Sequence, residues 1–290
     1  MNEILKNKTI IDARLKELLS FSNPLYQIVI DGMEYSLSIG GKRIRPCLVL
    51  EFARLMNGKQ EAALDMACAI EMIHTYSLIH DDLPCMDNDD MRRGMPSCHK
   101  KFGEDMALLS GDALLTYAFS VASNVTDVDN KDIIDCIKIL SDCAGVNGMI
   151  GGQVIDLLSE EKEVPLDVVI KLNALKTSKL LEASCMLGCA ISGAEEKYRN
   201  AAKEYAYNLG IAFQIVDDIL DVIGDEKLLG KPIGSDKNNN KSTFVSLLGL
   251  ENAKKEAKKY TEKAISSLEI FCDKAADLKE FALLLLNRNH

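Results

Sequence analysis

The sequence has 290 residues, of which 47% are hydrophobic and 27% charged, so it predicts a globular protein with a substantial buried core and excludes a disordered or collagen-like chain. Its 44 acidic and 34 basic residues give a net charge of -10, which argues against nucleic acid as a partner. Any phosphate ligand must therefore be held by local basic clusters or by bound cations.

The first segment, residues 1–21, alternates charged residues with Ile and Leu and lacks the apolar core of a signal peptide. No stretch approaches the ~18 uninterrupted apolar residues of a membrane span, and the longest candidate, 183–194, has 12 residues. The nine cysteines form no CxxC pair, which is typical of reduced thiols. We therefore expect a cytoplasmic protein without stable membrane insertion.

A glycine turn at 40–41 precedes three cations within four residues, namely Lys42, Arg43 and Arg45. Arginine suits bidentate contacts to phosphate, and lysine acts as a point charge. The segment is not a P-loop, because the GxxxxGK[ST] pattern is absent. By itself it would indicate only a charged helix start.

An acidic cluster closes a long apolar run; its members are Asp81, Asp82 and Asp87. The first and last of these are six positions apart, about 240° out of register on an ideal helix. Pro84 can break the helix between them, so that both carboxylates point the same way. Two further cations, Arg92 and Arg93, follow this cluster.

Helical periodicity dominates the rest of the chain. In one proline-free stretch the apolar residues step by four, three and four positions along one helix face, at Ile133, Ile137, Leu140 and Ala144. No stretch shows sustained alternation of β-branched and polar residues, and composition does not shift sharply along the chain. We therefore expect one all-α domain over 1–290, with about ten helices.

A second acidic cluster lies inside the apolar run 210–223 and comprises Asp217, Asp218 and Asp221. A carboxylate in an apolar helix costs several kcal/mol unless a cation compensates it. Mg²⁺ prefers oxygen ligands together with substrate phosphates. One acidic pair alone would favour a solvated helix end, but two clusters favour metal binding. Together with the cationic segments they indicate two diphosphates in one site, one held by metal and one by side chains.

The order of these segments resembles trans-prenyl diphosphate synthases, most of all the bacterial farnesyl diphosphate synthases, from about residue 40 to 243. The motifs that carry the resemblance are GGKRIRP (40–46), HTYSLIH leading into DDLPCMD (74–87), RRG (92–94), GGQVID (151–156), KT (176–177), FQIVDDILD (213–221) and GKPIGSD (230–236). Each motif alone is only moderately specific, whereas all of them in this order are strong evidence for the resemblance.

The resemblance implies a helical bundle around a deep central cavity, usually a homodimer. It implies Mg²⁺ ligands, with Mn²⁺ possible, at Asp81, Asp87 and Asp217. It assigns contacts with the allylic diphosphate to Arg92, Lys176 and Lys231. It assigns the binding of isopentenyl diphosphate to Lys42, Arg45, His74 and Arg93.

In such enzymes the metal helps the allylic C–O bond to ionise, and negative dipoles stabilise the carbocation. The resemblance gives that second role to Thr177, Gln214 and the Lys176 carbonyl. The isopentenyl double bond then attacks, and the released diphosphate accepts the proton. The absence of a Ser-His-Asp or Cys-His arrangement from the sequence agrees with this chemistry.

Tyr76, with small Ser77 beside it, lies five residues before Asp81, where in this family a bulky aromatic blocks growth beyond fifteen carbons. We therefore expect farnesyl diphosphate, made from isopentenyl, dimethylallyl and geranyl diphosphates. The alternatives are a geranyl or geranylgeranyl product, or a non-catalytic regulatory subunit. A terpene cyclase, a head-to-head synthase and a cation-binding scaffold fit less well, because both aspartate motifs and the ordered basic motifs are present.

Overall fold

A computed structural model describes residues 3–160, 162–223 and 242–288. Within those ranges the chain forms fourteen α-helices, which confirms the all-α prediction. In chain order they are α1 (Lys8–Leu18), α2 (Gln27–Ser38), α3 (Ile44–Leu55), α4 (Gln60–Asp81), α5 (Cys98–Phe102), α6 (Glu104–Ser123), α7 (Asn130–Ala144), α8 (Met149–Ser159), α9 (Leu166–Asn173), α10 (Lys179–Ala190), α11 (Glu196–Ile223), α12 (Phe244–Leu248), α13 (Leu250–Ser267) and α14 (Ala276–Leu286). The number exceeds the expected ten partly because one-turn helices such as α5 and α12 are too short to show a period.

Helix α4 lies at the centre of the bundle, in contact with α3, α6 and α10. It is buried on nearly every side from Met66 to Tyr76, which is why its sequence is apolar all round. In α7 the expected apolar face is buried at Ile133, Leu140 and Ala144. A smaller apolar cluster joins α9, α11, α12 and α13. The single domain over 1–290 stays a prediction.

Two helices of the described ranges, α4 and α6, are long and apolar enough to cross a membrane by length and composition alone. The apolar window of α4 is 72% buried inside the protein, as expected of a core helix, whereas that of α6 is 39% buried. The prediction that the chain does not insert stably into a membrane remains a prediction.

A two-stranded hairpin interrupts the helices, and it was not expected from the sequence. Its antiparallel strands are Met91–Arg92 and Met95–Pro96. The turn residues, Arg93 and Gly94, both have positive φ (54° and 78°), which matches the right-handed twist of a tight hairpin. Strands of two residues are too short to show alternation of polar and apolar side chains. The turn has Arg93 where the common hairpin sequence has Asn before Gly, so the sequence does not indicate a hairpin here.

Candidate functional site

The first acidic cluster forms where α4 ends and the chain folds back over the end of the helix. The backbone N–H of Asp87 donates to the carbonyl of Asp81 at 2.8 Å, and that of Asn88 donates to the carbonyl of Leu83 at 3.1 Å. The helix therefore breaks between the two aspartates, as the sequence predicted. The fold-back brings Asp87 beside Asp81 in spite of their six-residue separation.

Asp81 lies in an environment that disfavours its charge. Burial raises its pKa to about 6, with a further contribution from Asp87, while Lys176 and Arg92 oppose the shift. A carboxylate that is desolvated and close to another carboxylate gains by binding a cation. This observation fits the metal role predicted for Asp81.

Asp82 has a different environment, because its side chain is buried against Arg92. The Arg92 Nε donates to both carboxylate oxygens at 3.0 and 3.1 Å, and its Nη2 donates to the same group. Burial raises the pKa of Asp82, and Arg92 opposes that shift. Arg92, predicted to contact a diphosphate, therefore also fixes the loop after α4.

Helix α8 positions Lys176. A Cβ on Gly152 would lie 2.2 Å from the backbone nitrogen of Lys176, so only glycine allows this close approach. One turn further along α8, Asp156 accepts a hydrogen bond from the Lys176 Nζ at 2.5 Å. Asp156 is the last residue of the GGQVID motif, and the structure pairs it with Lys176.

The backbone around Lys176 is a π-helical turn, Ala174–Ser178, between α9 and α10. Turns of this kind are rare and frequently occur at functional sites. Burial lowers the pKa of Lys176, but Asp156, Asp81 and Asp87 outweigh it and raise the pKa overall. The lysine is therefore charged and faces the first acidic cluster.

The second acidic cluster lies on α11, across a cavity of about 250 Å³ from α8 and the π-helical turn. The predicted residues that line it are Lys176, Thr177, Gln214 and Asp217. Asp218 lines it too, and its carboxylate accepts the backbone N–H of Phe244 at 2.7 Å, so it also anchors the start of α12. Side chains from three separate motifs thus surround one cavity.

Three of the four residues predicted to bind isopentenyl diphosphate, namely Arg45, His74 and Arg93, lie near one another, and His74 is on α4. The Arg45 Nη1 lies 3.2 Å from the His74 Nε2. Burial lowers the pKa of Arg45 to about 10, and its Nε is buried without a hydrogen-bond partner among the described residues. Burial and the nearby Arg45 hold the pKa of His74 well below its usual range. A buried cation with an unused donor suits an anionic ligand.

The glycine turn is shaped around two arginines. Arg93 donates to the carbonyl of Gly40, and a Cβ on Gly41 (φ 132°) would lie 2.6 Å from the Arg93 guanidinium. Arg43 instead faces the core, where it donates to Asp12 at 2.8 Å and to Glu71 at 2.6 Å. These contacts fix the segment that carries the predicted ligands.

Lys42 lies near the second acidic cluster. Partial burial and the nearby Arg288 lower its pKa, whereas Asp217 raises it. Arg288 was not among the predicted residues, although its Nη2 donates to Asp217 at 2.5 Å. Because 71 positions separate this pair, no local pattern in the sequence could reveal it. Lys231 and the motif around it lie outside the described residues.

Tyr76 is only 5% exposed and lies one helical turn before His80, whose ring it meets edge to face at 5.6 Å between centroids. Burial, with a contribution from Asp81, raises the pKa of Tyr76 to about 12. In the part of the chain that the structure describes, its hydroxyl has no hydrogen-bond partner. Ser77 is half-buried, and its hydroxyl donates to the His74 carbonyl at 2.9 Å.

A divalent cation at this site would need ligands beyond the protein. Among the described residues no three His, Cys, Asp or Glu side chains converge closely enough to hold a metal by themselves. Mg²⁺ commonly completes its ligand set with water and substrate phosphates, and it prefers carboxylate oxygens. The oxygen donors of Asp81, Asp87 and Asp217 therefore fit such an ion when a diphosphate is also present.

Comparisons with known proteins agree with this geometry. Residues 26–280 match the polyprenyl synthetase family. The chain is 45% identical over 263 residues to the farnesyl diphosphate synthase of Geobacillus stearothermophilus, covering 89% of this chain and 88% of that protein. It is 44% identical over 289 residues to the geranylgeranyl diphosphate synthase of Cyanophora paradoxa, covering 99% and 96%. A solved geranyltransferase from Helicobacter pylori, complexed with magnesium and isoprenyl diphosphate, superimposes with a TM-score of 0.82 at 34% identity, covering 99% and 97%.

Proposed function

This chain belongs to the polyprenyl synthetase family and is a prenyltransferase, and on that basis we propose that it makes farnesyl diphosphate. The starting materials are isopentenyl diphosphate and either dimethylallyl or geranyl diphosphate. The observation that carries the proposal is the position of Lys176, which lines one cavity with Asp217 and lies near Asp81 and Asp87 of the first aspartate motif.

Enzymes of this family use Mg²⁺. Here Asp81, Asp87 and Asp217 would hold it, with Mn²⁺ as a substitute, and the ion would neutralise the departing diphosphate. The Nζ of Lys176, which is held by Asp156, adds a positive charge near Asp81 and Asp87. Arg92 and Lys231 are proposed as further contacts of the allylic diphosphate.

Dipoles of the protein are proposed to stabilise the carbocation that forms when the allylic C–O bond breaks. Thr177 and Gln214 line the cavity, and their side-chain oxygen atoms are the groups proposed to stabilise the positive charge. The isopentenyl double bond forms the new C–C bond, and the resulting cation loses a proton to the released diphosphate. No side-chain base is therefore required.

Isopentenyl diphosphate is proposed to bind at Lys42, Arg45, His74 and Arg93. The unused Nε donor of Arg45 supports this assignment. Because its pKa lies well below the usual range, His74 is neutral near pH 7 and contributes a hydrogen bond rather than a charge.

A fifteen-carbon product is supported by Tyr76, a buried aromatic residue that lies five positions before Asp81 on α4. A twenty-carbon product is the second candidate, because the relatives include a geranylgeranyl diphosphate synthase similar over almost the whole chain. The two candidates share their chemistry and differ only in where growth stops.

The test is to incubate the purified protein with isopentenyl diphosphate, each allylic starter and Mg²⁺, and to measure product lengths. Mainly C15 products support the proposal, and mainly C20 products replace it with the second candidate. No product from any starter would favour a non-catalytic regulatory subunit. Asp81→Ala and Asp217→Ala should each lower kcat/KM roughly 100-fold or more, whereas exposed Asp142→Asn on α7 should not change it.

We also propose a cytoplasmic homodimer. The observation that supports the homodimer is α6, a long apolar helix that leaves Leu108 and Leu109 nearly half exposed. Exposed apolar surface of this kind is typical of a protein–protein interface.

A further inference from the structure

Arg288 lies two residues beyond the end of α14, and its side chain is only 9% exposed. Its Nη2 donates to the Asp217 carboxylate at 2.5 Å and to the Phe213 carbonyl at 3.0 Å. Its guanidinium carbon lies 3.9 Å from the centroid of the Phe213 ring. An ion pair, a hydrogen bond and a cation–π contact therefore hold the guanidinium against α11.

The hydrogen-bonding capacity of the Arg288 guanidinium is only partly used. The Arg288 Nε is buried without a hydrogen-bond partner among the described residues. Burial lowers the pKa of Arg288, while Asp217 opposes the shift. Lys42 lies close enough for the two positive charges to disfavour each other. Asp217 supplies the opposite charge that offsets the burial of this cation, so a competitor for Asp217 would weaken its hold on α11.

We propose that Arg288 is a resident counter-ion of Asp217 and that a divalent cation displaces it. This inference rests on the proposed function, because it takes Asp217 to be a metal ligand. The Oδ1 atom that Arg288 occupies is one of the two oxygens Asp217 can offer to a metal, and a doubly charged ion beside it repels the guanidinium.

Two consequences follow from this exchange. The ion pair competes with the metal, so the apparent metal affinity is lower than that of the carboxylates alone. The segment 284–288 loses its ionic contact with α11 when metal binds, and by linkage anything that holds Arg288 at Asp217 weakens metal binding by the same factor.

The test measures Mn²⁺ binding by electron paramagnetic resonance in the presence of inorganic pyrophosphate, without turnover. Arg288→Gln should bind Mn²⁺ roughly 5-fold or more tightly than the unchanged protein, and Arg288→Lys should be intermediate because it keeps the charge but loses the fork of donors. Lys279→Gln, which removes a positive charge from α14 itself, is the matched control and should leave Mn²⁺ affinity unchanged. Hydrogen exchange of 284–288 should increase when Mn²⁺ and pyrophosphate are added.

Asp217→Asn separates this inference from the function on which it rests. Loss of Mn²⁺ binding in Asp217→Asn, with equal affinities in Arg288→Gln and the unchanged protein, overturns the counter-ion role alone. Undiminished Mn²⁺ binding in Asp217→Asn overturns both the metal role of Asp217 and the inference. Unchanged exchange of 284–288 on metal addition also counts against displacement of Arg288.

Discussion

At the scale of single residues, the site depends on charges placed where water cannot fully solvate them. Asp81 has a raised pKa, Arg45 has a lowered one, and His74 is kept neutral. Each group would be stabilised by the ligand that the proposed reaction brings, a cation for Asp81 and an anion for Arg45. The site is therefore electrostatically prepared for binding at a cost to the stability of the free protein.

That cost predicts a pH dependence for Asp81. Its folded-state pKa of about 6 lies above the ordinary 3.8, so between these values the folded state binds more protons than the unfolded state. The contribution of Asp81 to stability therefore falls as pH rises from about 4 to 6. In metal-free buffer, Asp81→Asn should resist urea better than the unchanged protein at pH 7.5, and this advantage should vanish near pH 4. An equal advantage at both pH values would contradict the assigned pKa.

Tyr76 is the residue predicted to limit product length. Tyr76→Ala should shift the products from C15 toward C20 and longer, because it removes a buried ring, and it should cost about 3 kcal/mol of unfolding free energy. Tyr76→Phe is the matched control, since it keeps the ring and removes only a hydroxyl without a partner in the described structure. Chain lengths from the purified variants decide the point, and an unchanged profile in Tyr76→Ala would refute the steric role.

At the scale of elements, contacts between helices position the residues that we propose to be catalytic. Helix α8 meets the π-helical turn at Gly152, and one turn later Asp156 holds Lys176. Helix α11 approaches the same turn, where a Cβ on Gly210 would lie 2.2 Å from the Ser178 hydroxyl. The turn is thus enclosed between two glycine contacts, and its position fixes Lys176 and Thr177.

Gly152→Ala should therefore displace the π-helical turn. The added Cβ would meet backbone atoms that cannot rotate away, so we expect a loss of about 1–3 kcal/mol in unfolding free energy. The KM for the allylic diphosphate should rise more than the KM for isopentenyl diphosphate, because Lys176 moves and Arg45 does not. Val154→Ala, on the exposed face of α8, is the control. Equal changes in both KM values would indicate general loosening instead.

At the scale of the whole molecule, the helices surround a central α4 and leave the apolar face of α6 partly uncovered. A single chain has no described element that covers Leu109 fully, which is why we assign the face to a second copy. Closed two-fold dimers are the commonest solution for such a surface.

Introducing a charge on this face should weaken the proposed dimer. Leu109→Glu should lower the mass measured by sedimentation toward 32.0 kDa, because it buries an unpaired carboxylate at the interface. Leu25→Glu introduces the same charge at an exposed leucine outside α6 and should leave the mass unchanged. If the unchanged protein and both variants are monomers, the homodimer is refuted. If all three are dimers, the interface does not include this face of α6.

The sequence by itself determined the helical class, the two aspartate motifs and the break near Pro84, because each is encoded within a few neighbouring positions. It also indicated Lys176, Thr177, Gln214 and Asp217 through motif order, and the structure brings them to one cavity. Only the tertiary structure decided that Arg92 pairs with Asp82 and that Arg288 reaches Asp217. Helical periodicity specifies which side chains share a face, whereas partners far apart in the chain are set by how the helices pack.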